Sequence, residues 1–222
     1  MSTVFRLDAS IKPEDSVTRA IADSLEGAIV AELDDVNVVT REIGLTPLPS
    51  DAWATAVLSG YTPVESRTVE QTAAVALATE LANELASADV AIIGAPFYNW
   101  GVTQHTKTWF DLVLTDPRFS SGAETPAGAG KQAFIVIARG GGYSEGTPRF
   151  GWDHATAWLE RILKDVWGYD VTIIEAELTL AEVTPAMAGL VDLAHQKLAD
   201  AHAAAESHGK AVAVKLAGSA AA

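Results

Sequence analysis

The sequence predicts an α/β fold in which five parallel strands form one doubly wound sheet with helices on both faces. Three observations lead to this prediction. Short apolar runs alternate with longer segments of helical periodicity. The apolar runs end in loops that contain proline, glycine and hydroxyl residues. A chain of 222 residues, of which 49% are hydrophobic, is long enough for one domain with a substantial core.

The strand and helix candidates follow one another along the chain. The strand candidates are the apolar runs 4–7, 36–39, 90–95, 133–138 and 171–176. Helical patterns occupy the residues from Thr18 to about Leu33, then 51–58, 65–85, 104–114, 154–167 and 185 to about 207. In the first helix, Ile21, Leu25 and Ile29 recur at a spacing that places them on one face, so this face packs on a core.

The alternation of strands and helices favours the flavodoxin-like strand order 2-1-3-4-5. In that order the winding of the sheet reverses between the first and third strands. The loops after strands one, three and four then line one crevice, where ligands of such folds bind. We therefore expect the functional site in these three loops.

Composition limits the classes of function. We expect residues 1–209 to form the domain and residues 210–222 to be a flexible tail. The absence of a leader pattern and of an apolar run of roughly 18 residues favours a cytoplasmic protein that does not enter a membrane. A net charge of −14 argues against nucleic-acid binding. Because cysteine is absent, any redox chemistry requires a cofactor.

The loop after the first strand carries hydroxyl groups at the start of a helix. Ser10, Ser16 and Thr18 lie here, with Val17 between the last two. A helix N-terminus offers unpaired N–H groups and the positive end of a dipole, which together with hydroxyl donors form a phosphate cradle without any basic residue. The alternative is simple helix capping by Asp15 or Ser16.

The loop after the third strand is rich in aromatic residues. Pro96 ends the strand and is followed by Phe97, Tyr98, Asn99 and Trp100. Flat apolar rings beside hydrogen-bonding groups suit a planar heteroaromatic ligand. A subunit interface would also cover these rings, so both interpretations stay open.

The loop after the fourth strand contains Ala138 and Arg139 followed by the glycines 140, 141 and 142. Gly140 and Gly141 have no Cβ, so the main chain can approach a ligand closely, although a flexible hinge would have the same composition. Arg139 either assists at the ligand or forms a surface ion pair. A phosphate cradle, an aromatic wall and a bare backbone edge match the parts of FMN.

The roles of two further side chains near the expected site, Tyr143 and His105, also allow alternatives. Tyr143 either shields the expected site or packs on the protein, and the pattern does not distinguish these roles. We expect His105 to be a solvated helix residue rather than a ligand contact.

Other site patterns are incomplete. Gly130-Lys131 lacks the first glycine and the final hydroxyl of a Walker A loop, and the glycine triplet does not complete a dinucleotide motif because Glu145 takes the last position. The five histidines show no metal-binding spacing, and no serine-hydrolase elbow occurs. We expect neither a metal site nor a protein nucleophile.

From the first strand to about Leu178 the chain resembles the FMN-dependent NADH:quinone oxidoreductases that also act as azoreductases, a flavodoxin-like family of the NAD(P)H dehydrogenase quinone superfamily. The matching pieces are Ser10 with Ser16-Val17-Thr18, APFYNWGVTQHTKTWFD at 95–111 and GKQAFIVIARGGGYS at 130–144. The resemblance implies that the first piece holds the FMN phosphate. It also implies that residues 97–100 line the flavin and that residues 138–141 close on the isoalloxazine edge.

The chain departs from the family at several of these positions. The family usually has methionine and phenylalanine at the positions of Phe97 and Trp100, and serine at that of Ala138. Thr103 stands where proline is usual, and Thr18 replaces a serine. We expect these departures to affect substrate preference and to leave flavin binding intact.

The resemblance implies a two-electron oxidoreductase. NADH or NADPH would reduce bound FMN, and a quinone or azo compound would then be reduced in a ping-pong scheme. It also implies a homodimer whose subunits share each active site, with the helix of Trp109 and Phe110 and the loop 116–130 in the interface. The length of this loop also fits a lid. The alternatives are a flavodoxin-like FMN electron carrier, which the acidic charge fits, and a flavin-free nucleotide or regulatory domain.

Overall fold

The predicted five-stranded parallel sheet is present, in the order β2-β1-β3-β4-β5. The structure is a computed structural model, and it describes residues 1–220. The strands are β1 Ser2–Asp8, β2 Val36–Glu42, β3 Val90–Gly94, β4 Gln132–Ala138 and β5 Asp170–Ala176. The predicted α/β class with a parallel sheet and the predicted strand order are both confirmed.

Six α-helices connect or follow the strands in this part of the chain: α1 Val17–Ala31, α2 Ala52–Ser59, α3 Val69–Ala86, α4 Gln104–Val113, α5 Thr156–Glu160 and α6 Val191–Ala220. The predicted helix over 65–85 is divided, because a short 3-10 turn over Val64–Ser66 precedes α3. Thr68 begins α3 through a capping box with Gln71, and this reciprocal pair of hydrogen bonds fixes the start of the helix.

Apolar cores lie on both faces of the sheet, as a doubly wound fold requires. On one face, α2 to α5 pack around a group of large rings: Trp109 stacks on Phe5 at 5.7 Å between centroids, and Phe110 stacks on Trp167 at 5.0 Å. On the other face, α1 and α6 cover the sheet. All of β3 is buried, because it lies at the centre between both layers.

The interface expected for the helix of Trp109 and Phe110 cannot use these two side chains. Both are 0% exposed, since they fill the core of their own chain. The lid expected for residues 116–130 is wrong as well. This loop joins the end of α4 to the start of β4, so it lies at the opposite edge of the sheet from the predicted crevice. The indole N–H of Trp167 donates to the carbonyl oxygen of Phe119 and holds the loop on the core.

The expected flexible tail over 210–222 is also corrected as far as residue 220. Residues 210–220 continue α6, where Val212 and Ala213 are buried and Leu216 packs on the core beside α1. The alanine-rich composition suggested low complexity, but its apolar residues recur at helical spacing. Residues 221–222 lie outside the described part. No described helix has the length and apolar content needed to cross a bilayer.

The contact between α1 and α6 depends on Gly209. A Cβ added at this position would lie 2.7 Å from the Cβ of Ala28 and 2.7 Å from the carbonyl oxygen of Leu25. Backbone atoms of a packed helix cannot move aside at low cost, so only glycine permits this approach.

The substitution Gly209→Ala should lower the free energy of unfolding by about 1–3 kcal/mol through overpacking of this contact. The matched control is Gly27→Ala in the interior of α1, where a Cβ meets nothing within 4 Å. Its better helix propensity should raise the free energy of unfolding by up to about 1 kcal/mol. Urea unfolding measures both values. A stabilising effect of Gly209→Ala would contradict the close packing of α6.

Candidate functional site

The loops after β1, β3 and β4 leave the sheet side by side because hydrogen bonding continues beyond the strands. The Ala9 N–H donates to the Gly94 carbonyl at 3.0 Å, and the Phe97 N–H donates to the Ala138 carbonyl at 3.0 Å. The strands therefore fix where each loop begins. Residues far apart in sequence reach the same edge of the sheet.

A cavity of about 480 Å³ opens at this edge. Typical small-molecule sites have volumes of roughly 300–1,000 Å³. Apart from Arg139, every residue predicted for the site lines the cavity: Ser10, Ser16, Val17, Thr18, Pro96, Phe97, Tyr98, Asn99, Trp100, Ala138, Gly140 and Gly141. Six further residues complete the lining: Ile11, Lys12, Tyr143, Arg149, Thr179 and Leu180. The Ser10 and Tyr98 hydroxyl oxygens lie 3.4 Å apart and join the first two loops.

The first loop combines helix capping with an opening to the cavity. The Ser16 hydroxyl accepts the Arg19 N–H at 3.3 Å, so the capping interpretation holds. Capping leaves the N–H groups of Val17 and Thr18 without partners inside the helix, and both residues line the cavity. Lys12 also lines the cavity, so this end offers one ammonium group besides the hydroxyl and N–H donors expected from the sequence.

Buried charged side chains anchor the loop after β1. Arg19 donates from Nη2 to the Ser10 carbonyl at 2.8 Å and lies 3.1 Å from Asp8 through Nη1. Asp8 is buried and also pairs with Arg6 at 3.0 Å. Burial raises the pKa of Asp8, and the two neighbouring guanidinium groups offset only part of this effect.

His105 contributes to the same anchoring and is not the solvated residue expected from the sequence. Its Nε2 lies 2.7 Å from the Ala9 carbonyl oxygen. A carbonyl oxygen only accepts hydrogen bonds, so Nε2 carries the proton and donates. This contact attaches α4 to the backbone just before Ser10.

The second loop is a tight turn in an unusual conformation. The Gly101 N–H donates to the Tyr98 carbonyl at 3.1 Å, and the two residues between them have positive φ, 50° at Asn99 and 63° at Trp100. Asparagine tolerates this region, whereas tryptophan does so at a cost of about 1–2 kcal/mol. The His154 N–H donates to the Trp100 carbonyl at 3.1 Å and holds the turn. Such strain clusters at functional sites.

The glycines of the third loop allow close packing of protein segments. A Cβ added at Gly140 would lie 2.6 Å from Cδ1 of Leu180, and one at Gly142 would lie 3.1 Å from Cγ2 of Thr147. The Leu180 N–H donates to the Gly140 carbonyl at 3.2 Å. The segment after β5 therefore clamps the glycine loop, which contradicts a free hinge.

Arg139 has a structural role outside the cavity lining. It is 4% exposed and pairs with Asp153 at 2.7 Å and Glu175 at 2.6 Å. Burial lowers the pKa of its guanidinium, but the carboxylates raise the pKa by more, so it stays charged. The sequence predicted that Arg139 contacts the ligand or forms an ion pair on the surface. The structure corrects both interpretations, because the Arg139 side chain is buried in an ion pair with Asp153 and Glu175.

Glu177 is a residue that the sequence analysis missed. It is 2% exposed, and its carboxylate accepts the Tyr143 N–H at 2.7 Å and the Ser144 hydroxyl at 3.0 Å. Lys197 lies 3.3 Å away. Burial raises the pKa of Glu177, but these three donors outweigh it and hold the pKa below its usual value. Glu177 thus ties the glycine loop to the end of β5 and to α6.

Comparison with known proteins identifies the family. A family model described as a flavodoxin-like fold, Flavodoxin_2, matches residues 2–206. A curated FMN-dependent NADH:quinone oxidoreductase of Frankia alni is 35% identical over 196 residues, which are 87% of this chain and 92% of that protein. The chain belongs to this flavodoxin-like oxidoreductase family. The family member of the same name from Streptomyces coelicolor is 34% identical and covers 97% of both chains.

Solved structures agree on the fold of the family. An azoreductase from Bacillus anthracis Sterne has a TM-score of 0.77 at 19% identity and covers 95% of this chain and 99% of its own. An FMN-dependent NADH-azoreductase from the Ames Ancestor strain, solved in complex with FMN, also has a TM-score of 0.77, at 15% identity, over 96% of this chain and all of its own. At these identities the likeness establishes the shared fold alone. Within residues 1–220 no cluster of His, Asp or Glu is arranged to hold a metal ion.

The substitution Glu177→Gln should lower the free energy of unfolding at pH 7 by roughly 1.5–3 kcal/mol, the range for hydrogen bonds to a charged group. The pKa of Glu177 in the folded chain lies below its ordinary value of 4.5. Its carboxylate therefore stabilises the fold above pH 4.5, and this contribution is lost as the pH falls through the folded pKa. The difference between wild type and variant should narrow on acidification.

Urea unfolding at a series of pH values measures this difference. The control is Glu182→Gln, whose carboxylate pairs with His195 on the surface. An exposed pair contributes less than about 1 kcal/mol, so this variant should change little. If the decrease in the free energy of unfolding caused by Glu177→Gln stayed constant below pH 4.5, this would contradict a lowered pKa of Glu177 in the folded chain.

Proposed function

We propose that the chain binds FMN in the cavity and is an FMN-dependent NAD(P)H:quinone oxidoreductase that also reduces azo compounds. In the quinone reaction NADH and one proton reduce the quinone to the hydroquinone and leave NAD⁺. The names of the curated relatives support this activity, and the azoreductase fold neighbours support the second acceptor class.

The observation that carries the proposal is the convergence of three chemically different loops on one cavity. The end formed by Ser10, Lys12 and the start of α1 presents hydroxyls, N–H groups and one ammonium group, which suit a phosphate. The aromatic rings of Phe97, Tyr98 and Trp100 form the wall together with Asn99, and Gly140 presents backbone on the far side. The donor set and the volume fit FMN.

When bound, FMN supplies a ring that accepts two electrons from a nicotinamide and passes them to a second substrate. The residues of this chain position that ring and keep water from it. Phe97 is 7% exposed, and Tyr143 packs edge-on against it at 4.8 Å between ring centroids. Arg139 stays outside this arrangement, and backbone groups of Gly140 and Gly141 are among the donors available near the ring edge.

The resemblance to the family also implies a kinetic order, a cellular location and an assembly for this protein. The reaction is ping-pong, because one cavity serves both substrates in turn. The chain works in the cytoplasm as a homodimer whose subunits share each site. Exposed aromatic side chains at the rim support this arrangement: Trp100 is 47%, Trp152 51% and Phe150 62% exposed. The loop 116–130 remains a proposed part of the interface.

One feature favours a second candidate. A net charge of −14 suits an FMN electron carrier that recognises basic protein partners and has no NADH:quinone activity of its own. Both candidates require FMN, so flavin binding and turnover have to be measured separately.

Purified protein titrated with FMN should quench flavin fluorescence to an end point of one FMN per chain. The loaded protein should then oxidise NADH or NADPH when 1,4-benzoquinone is added, with parallel double-reciprocal plots. Flavin binding without NADH oxidation would favour the carrier. Failure to bind FMN would refute both.

The variant Asn99→Gly tests the location within the same titration. Glycine accepts the positive φ of this position, whereas Asn99→Ala would add backbone strain. The variant therefore removes the amide alone, and FMN should bind more weakly by about tenfold, as expected for one lost hydrogen bond. Unchanged affinity would mean that the flavin does not contact this turn.

A further inference from the structure

Two basic side chains at the cavity are free of protein partners. Within residues 1–220, neither the ammonium group of Lys12 nor the guanidinium of Arg149 makes a hydrogen bond or an ion pair, and both residues line the cavity. Other arginines of this part of the chain are held by acceptors, including Arg6, Arg19 and Arg139. In a chain with 29 acidic residues, a guanidinium without an acceptor is available to a ligand.

Lys12 and Arg149 occupy different ends of the cavity. Lys12 follows Ser10 and donates its own backbone N–H to the Ser10 hydroxyl at 3.3 Å, so it belongs to the proposed phosphate end. Nη1 of Arg149 lies 3.1 Å from the position that a Cβ on Gly141 would occupy. Arg149 is therefore beside the glycine loop, at the end where the reacting ring would lie.

Aromatic surface lies next to the turn that carries Arg149. The Trp152 N–H donates to the Arg149 carbonyl at 3.1 Å, so the two residues belong to one turn. The Trp152 ring meets Trp100 edge-on at 6.4 Å between centroids. Both indoles are about half exposed, and Trp100 itself lines the cavity. The rim thus combines flat apolar faces with one free positive charge.

This combination recognises aromatic anions. A guanidinium presents a planar fork of donors that matches the oxygens of a carboxylate or sulfonate, and its hydrogen bonds to anions are stronger than those between neutral groups. The net negative charge of the protein repels an aromatic anion, so binding of the anion depends strongly on the local positive charge of Arg149. The neutral ring gains contact with the indoles.

We propose that Arg149 is a specificity-determining residue that binds the carboxylate or sulfonate substituent of aromatic electron acceptors, while Trp100 and Trp152 contact the ring. The inference rests on the proposed function and specifies which acceptors the site prefers. It assigns no role in electron transfer to Arg149, so neutral acceptors do not depend on it.

The test compares two matched acceptors, 1,4-naphthoquinone and 1,4-naphthoquinone-2-sulfonate, with FMN-loaded protein. Arg149→Gln should lower kcat/KM for the sulfonate about ten- to a hundredfold, mainly through KM, because a charge-assisted hydrogen bond is lost. The value for the neutral quinone should fall by a much smaller factor, so the ratio of kcat/KM for the two quinones is the measured effect. Added salt should weaken the sulfonate reaction of the wild type and have little effect on the variant.

Two controls separate this effect from changes in charge or folding. Arg161→Gln removes an exposed arginine that pairs with Asp165 outside the cavity lining, and it should leave both quinones unaffected. Arg149→Lys keeps the charge without the fork and should recover only part of the sulfonate preference. Equal losses for both quinones in Arg149→Gln, or no loss for either, would overturn the proposal.

Calorimetric titration gives a second measurement that needs no turnover. Redox-inert naphthalene-2-sulfonate should bind the wild type more tightly than neutral naphthalene-2-sulfonamide, and Arg149→Gln should remove the difference. If no quinone is reduced, the proposed function fails, but this titration still decides the role of Arg149. Equal binding of the two compounds by the wild type would refute an anion site at this rim.

Discussion

The structure depends on the parallel hydrogen bonding of the central strands. Because β1, β3 and β4 are neighbours in register, with Asp8 beside Gly94 and Gly94 beside Val136, their carboxyl ends meet at one edge. The loops continue this pairing for a few residues before they diverge. The cavity is therefore a consequence of sheet topology, and loop chemistry decides only what it can bind.

Buried charge on each side of the cavity fixes the loops in place. At the first loop, Arg19 pairs with the buried Asp8 and donates to the Ser10 carbonyl oxygen. At the glycine loop, Glu177 accepts hydrogen bonds from Tyr143 and Ser144. Desolvated charges are costly unless paired and hydrogen-bonded, so each network specifies one arrangement of its loop. Rigid support of this kind positions weak donors such as backbone N–H groups, which act only if they are held in place beforehand.

The strands, their order and most of the cavity lining could be predicted because they depend on local patterns. Apolar periodicity locates the strands, and loop composition marks the residues that follow them. The position of Arg139 could not be predicted in this way, because it depends on ion pairs with residues distant in sequence. Ala138 and Gly140 line the cavity, whereas the side chain of Arg139 between them is directed to the carboxylates of Asp153 and Glu175.

Other features depend on contacts that sequence patterns do not reveal. Arg149 reaches the cavity from a turn well beyond the glycines, and Leu180 enters it after β5. Strand β5 ends at the same edge of the sheet, beside the end of β4, so topology alone could have indicated Leu180 in the loop that follows it. The burial of α6 beyond residue 209 results from its packing on α1, where Gly209 permits a close approach.

Hydrogen–deuterium exchange of the protein with and without FMN tests the convergence of the loops most directly. If the three loops form one site, FMN should slow amide exchange together in three separated segments, 10–18, 96–101 and 138–142, while exchange in the loop 116–130 stays unchanged. Protection confined to one of the three segments, or located at the opposite edge of the sheet, would contradict a single FMN site formed by the three loops.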